Sequence, residues 1–137
     1  MGDSMEAVIN YWAILVSAIL AQCIGALWYS KWLFAERWQK LVKLDWKKMK
    51  PTPKPFVVAF VGTLLMAYIL AQFIFYAEAT TWIMGLETAA WLWIGFVLTP
   101  EVISSQFNQR PLELVLIDAG HYLAIMLVAG AILAVWV

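Results

Sequence analysis

Four long apolar stretches constrain this chain more than any other feature. They cover about residues 7–29, 56–76, 84–105 and 112–136, and each has the roughly 20 residues that a helix needs to cross a bilayer. In lipid every backbone N–H and C=O must be satisfied within the segment, so such stretches fold as helices. Short connections between them leave one arrangement for one domain over residues 1–137. The expected fold is all-α: an integral membrane, four-helix antiparallel bundle. Composition agrees. Hydrophobic residues make up 64% and charged residues 13% of the 137 positions, where a soluble domain is nearer 45–50% and about 25%. So small a globule cannot hide that apolar excess, and lipid must cover it.

The charge is segregated. Eight of the nine Lys and Arg residues lie between Lys31 and Lys54; the ninth is Arg110. Basic residues stay on the cytoplasmic side, so the loop 31–54 is expected in the cytoplasm, with Arg110 on the same side two spans later. Asp3, Glu6 and Glu78 then fall outside, as do both termini, and the expected localisation is a multi-pass protein of the cell membrane. Trp12, Trp82 and Trp136 should mark the outer interface, and Trp28, Trp32, Trp38 and Trp46 the inner one. No cleavable leader is expected, because acids stand where a basic n-region would be.

Within the basic loop, Phe34, Trp38, Leu41 and Val42 recur at helical spacing among Arg37, Lys40 and Lys43. This pattern predicts a basic amphipathic interfacial helix between the first and second spans, its apolar side in lipid. Arg37, Lys40, Lys43, Lys47 and Lys48 are the expected contacts to anionic headgroups. An orientation anchor is the simpler reading; a lipid-sensing or docking surface is the functional one.

Small residues repeat every four positions: Ala13, Ser17, Ala21 and Gly25, then Ala59, Thr63, Ala67 and Ala71, then the pairs Gly120/Ala124 and Gly130/Ala134. Such stripes let membrane helices approach closely. They serve the bundle itself or a second copy, and the same physics underlies both. Gln22 and Gln72 read as interhelical hydrogen-bonding groups, Cys23 as packing, and Trp91 and Trp93 as deeper packing residues.

The polar groups inside the spans form the candidate site. Glu87 and Glu101 are 14 residues apart, about 21 Å along a helix, so both cannot reach the headgroups of a slab about 30 Å thick. Glu87 is placed near the outer surface and Glu101 deeper. Pro100 should kink the third helix and free the Phe96 carbonyl, with Thr99 rebonding part of the ladder. Asp118 and His121 share neighbouring faces of the fourth span. An unpaired buried ionised carboxylate costs roughly several kcal/mol, so Asp118 should face the bundle and find a partner, His121 being one available, or stay protonated. Glu113 follows Pro111 as an ordinary helix start. Glu101, Asp118 and His121, with Glu113 and Arg110 at the mouth, are read either as interhelical glue or as a group that relays protons or binds a cation or a polar head. No paired-ligand metal motif, cofactor motif, nucleophile–base pair or phosphate-binding loop is present, so neither a cofactor nor an enzyme is expected. Nothing points to nucleic acid.

Gly25-Ala-Leu-Trp-Tyr-Ser30, then Leu33-Phe34 and Trp38, resemble the first-span exit motif of a family of small four-span prokaryotic membrane proteins, domain of unknown function 1761. Trp93-Ile-Gly-Phe96 and Arg110-Pro-Leu resemble the same family, and the likeness runs from about Asn10 to Ala134. Lys31 stands where the family pattern has proline, Ala35 where it has glycine and Asp118 where it has asparagine. The resemblance implies a four-helix membrane fold and supplies no activity. Three roles follow for weighing: an accessory or assembly component packing on itself or another membrane protein, a homo-oligomeric transporter or channel for ions, protons or small solutes, and, last, an enzyme. The first is the expectation.

Overall fold

A computed structural model describes residues 9–136, and every regular element among them is helical. Helix α1 spans Tyr11–Trp28, α2 Ala35–Val42, α3 Lys54–Tyr76, α4 Trp82–Trp93, α5 Thr99–Asn108 and α6 Leu112–Val135. A 3-10 turn covers Trp46–Lys48, and a π-helical segment, Ile94–Leu98, joins α4 to α5. The third span is therefore one unit over Trp82–Asn108. With α1, α3 and α6 it gives four helices, among the described residues, long and apolar enough to cross a membrane. Asp3, Glu6 and the start of the first predicted span lie outside the described residues.

Local chemistry places the ends. The Asn10 side chain accepts from the N–H groups of Trp12 and Ala13 at 3.1 and 3.2 Å and so caps α1. Its amide also donates to the Trp136 carbonyl at 3.2 Å, which ties the start of α1 to the end of α6. Thr81 caps α4 through Met84 N–H at 3.2 Å. Helix α3 opens with Pro55 in its first turn, where the missing N–H costs nothing. Lys43 and Gln109 close α2 and α5 in the left-handed region, at φ 60° and 55°.

Helix α6 is central and touches every other helix. Its tightest neighbour is α4, where Gly85 and Gly130 meet backbone to backbone. On α1 the stripe Ala13, Ser17 and Ala21 is buried, and Gly25 faces His121, so this stripe serves the bundle. The α3 stripe is mixed: Ala67 is buried, whereas Ala59 is exposed. The third span meets α3 only lightly, and between them the bundle opens laterally.

A wider, π-helical turn precedes Pro100 in the third span. The π segment ends at Leu98, two residues before the proline, near the point where the helical ladder lacks a donor. Both the backbone N–H and the hydroxyl of Thr99 bond the Ile94 carbonyl, the hydroxyl at 2.7 Å. Thr99 does compensate the ladder, then, but at Ile94 and not at Phe96.

Candidate functional site

The site forms where α1, α2 and α6 meet, at the end of the bundle that carries the basic segment. The first link is the exit of α1. After Trp28 the chain turns, with Phe34 N–H bonded to the Trp28 carbonyl at 3.0 Å, and this turn folds α2 back against α6. The Trp28 indole lies over Gly120, where a Cβ would stand 3.1 Å from the ring, and it donates to the Ile117 carbonyl at 2.9 Å. That carbonyl has a second lone pair to offer beyond its helical bond. On the other side of α6, the Trp93 indole donates likewise to Ala119 at 2.7 Å.

Asp118 is the hub. Its Oδ1 accepts from the Tyr29 hydroxyl at 2.7 Å and from the Trp38 indole N–H at 3.0 Å. The carboxylate thus joins the exit of α1, α2 and α6 through one oxygen. His121 is one partner the sequence offers; among the described residues, the bonds to this carboxylate come from Tyr29 and Trp38. The His121 ring packs on Tyr29 at 5.2 Å and on Tyr122 at 5.0 Å. Glu101 is half-buried on α5, within electrostatic range of Asp118 and Arg110.

One turn and a half before Asp118, Glu113 forms a two-pronged ion pair with Arg37, Nε to Oε1 and Nη2 to Oε2. It is the only ion pair among the described residues, and both side chains are about half exposed, at 54% and 47%. The Glu113 carboxylate raises the Arg37 guanidinium above its ordinary pKa. Glu113 therefore acts on α2 as well as standing in the first turn of α6. Arg37 and Trp38, adjacent in sequence, clamp α2 to α6 at two points.

This arrangement adds to two expectations. Trp28 and Trp38 are not simply interfacial anchors, because both indole N–H groups are bonded inside the protein. The apolar side of α2 does not face only lipid, since Trp38 packs at 5.9 Å from Tyr29 and 5.5 Å from Trp46. Of the residues expected on headgroups, Arg37 is engaged by Glu113, while Lys40, Lys43, Lys47 and Lys48 are exposed. Asp118 lies within electrostatic range of both Glu101 and His121, and Glu113 meets α2 through Arg37. Tyr29 and Trp38 were missed as partners of Asp118. Both stand in the segment 25–38 that carries the first-span exit motif.

A cleft of about 810 Å³ opens beside the hub, between α1, α3 and the segment from Trp46 to Thr52. Tyr29, Trp38 and His121 line its inner wall. No group of three or more His, Cys, Asp and Glu side chains among the described residues is arranged to hold a metal.

A family model described as "Protein of unknown function (DUF1761)" matches residues 12–134. No curated protein and no solved structure matches the chain.

Proposed function

The chain belongs to the DUF1761 family of proteins of unknown function, and from that premise we propose that it is a small, non-catalytic accessory or assembly component of a membrane. It packs against a second copy of itself or another membrane protein. One observation carries this reading: the carboxylates of Asp118 and Glu113 are committed to holding the protein's own elements together, through Tyr29, Trp38 and Arg37. The third span meanwhile turns Trp91, Phe96 and Phe107 outward, at 74%, 75% and 86% exposure, and offers apolar area to a neighbour. The mass of the gently solubilised native complex tests it. A stoichiometric assembly is expected, and a lone monomer overturns the reading.

The charge rule adds an orientation: the loop 31–54 and the Asp118 hub on the cytoplasmic side, both termini outside. In a Cys23→Ala background, Lys47→Cys should resist an impermeant thiol reagent added to intact cells, whereas Glu78→Cys should react. Labelling of Lys47→Cys reverses the topology.

A homo-oligomeric transporter or channel acting through Glu101, Asp118 and His121 is the second reading. It is favoured by the cleft that reaches His121. Four spans are few for an enclosed path, but a dimer can supply one. Asp118→Asn and Glu101→Gln should then abolish ion or proton flux in proteoliposomes with the fold intact. Absence of flux from the unaltered protein removes this reading.

A further inference from the structure

The cleft beside the hub has a polarity gradient that neither role above uses. At its open end it is lined by Lys50, beside Pro51 and Thr52. Lys50 is exposed, and the only ion pair among the described residues is Arg37–Glu113, so its charge is available to a ligand. The rings of Trp38 and Trp46, 5.5 Å apart, line the same cleft. Farther in, Gln22 lines the cleft, and its amide nitrogen is sealed from solvent with no hydrogen-bond partner. A buried donor left unmade costs about 1–3 kcal/mol. An acceptor oxygen on a ligand in the cleft would satisfy this N–H₂ group.

Beyond Gln22 the character changes. Ala21 and Thr63 line this cleft and also a second, almost wholly apolar cavity of about 470 Å³. That cavity runs between α3 and the third span, past Met66, Leu70, Leu92, Phe96 and Met126. It is the lateral opening left where those two spans meet only lightly. From Tyr29 to Ala21 is eight residues of α1, about 12 Å of depth. The two spaces therefore adjoin along the bundle axis, cationic at one end, amide-lined in the middle and apolar at the far end. Each is within the size range of small-molecule sites, about 300–1,000 Å³.

We infer that the joined cavities are a binding site for one anionic membrane lipid. Its acidic headgroup lies at Lys50, an ester carbonyl accepts from Gln22, and an acyl chain passes Thr63 into the apolar cavity. The charge complements the exposed basic segment, the acceptor answers the unpaired amide, and the chain fills a space open to the bilayer. This inference rests on neither role proposed above.

Native mass spectrometry of the full chain in detergent tests it, with phosphatidylglycerol and phosphatidylcholine of matched acyl chains as the probes. A one-lipid adduct is expected with phosphatidylglycerol and at least fivefold less with phosphatidylcholine. Lys50→Glu should lower the phosphatidylglycerol adduct at least fivefold, whereas Lys31→Glu, outside the cleft, should not. Thr63→Phe, which blocks the junction, should lower it with headgroup charge unchanged; helicity by circular dichroism identifies a variant that has failed to fold. Gln22→Leu should lower it several-fold. Equal adducts of both lipids overturn the inference. So does a phosphatidylglycerol adduct insensitive to Lys50→Glu and Gln22→Leu, or one displaced by millimolar inorganic phosphate, which would mark a phosphate site and not a lipid site.

Discussion

Gly85 on α4 and Gly130 on α6 face each other with no room for a side chain. A Cβ on Gly85 would stand 2.2 Å from the Gly130 carbonyl oxygen, and a Cβ on Gly130 2.5 Å from that of Gly85. The obstacle is backbone on both sides, which cannot swing away as a side chain would. This contact sets the distance between the central helix and the third span. With it goes the depth at which Trp93 meets the Ala119 carbonyl.

Gly130→Ala should therefore destabilise the bundle by about 1–3 kcal/mol, the usual range for an overpacked contact, and Gly85→Leu by more. Thermal unfolding in detergent measures both. Gly62→Ala is the counterpart, since a Cβ there meets nothing within 4 Å. It should leave the melting temperature unchanged or raise it, because alanine is better in a helix by up to about 1 kcal/mol.

The Asp118 hub makes a second prediction. Tyr29→Phe removes one hydrogen bond to Asp118 and should cost about 0.5–1.5 kcal/mol. Asp118→Asn keeps an acceptor oxygen and should cost less. A double-mutant cycle between Tyr29→Phe and Asp118→Asn should give non-zero coupling. Trp38→Phe should raise hydrogen exchange in α2 while leaving α3 unchanged. Unaltered exchange in α2 would mean that Trp38 does not hold it.

The Arg37–Glu113 pair makes the third. Arg37→Glu places two acids together and should loosen α2. The swap Arg37→Glu with Glu113→Arg should restore its protection from hydrogen exchange. Because the pair is half exposed, 1 M salt should weaken it in the unaltered protein. A swap that leaves α2 as loose as the single variant argues against the pair.

The π segment makes the fourth. Thr99→Val removes the hydroxyl bond to Ile94 and should cost about 0.5–1.5 kcal/mol. Pro100→Ala returns a donor to the ladder and removes the reason for the wide turn. The third span should then become more regular and the melting temperature should rise. A fall would show that the π-helical turn at Ile94–Leu98 is required by packing.

Much of this was legible beforehand for one physical reason. Lipid permits few backbone conformations, so runs of apolar residues translate directly into helices. The second and fourth predicted spans agree with α3 and α6 within about two residues, the usual uncertainty of helix ends. The α1 stripe of Ala13, Ser17, Ala21 and Gly25 was readable because helical periodicity is local. The partners of Asp118 were not readable in this way. His121 looked suitable because it lies one turn along the same helix, whereas Tyr29 and Trp38 are 89 and 80 residues away. Only the turn after Trp28, which reverses α2 onto α6, brings them to the carboxylate. Gly85 went unnoticed for a related reason: it belongs to no stripe of its own, and its importance comes entirely from Gly130.

By itself, then, the sequence determined the number of spans, their helical form and which end carries the positive charge. These depend on hydrophobicity summed along contiguous residues and on the solvent around them. Tertiary structure decided which acid meets which donor, which of Gly85, Gly62 and Gly95 tolerates no side chain, and where the bundle stays open. Those outcomes depend on the approach of residues far apart in the chain, and no local pattern encodes a distance between helices.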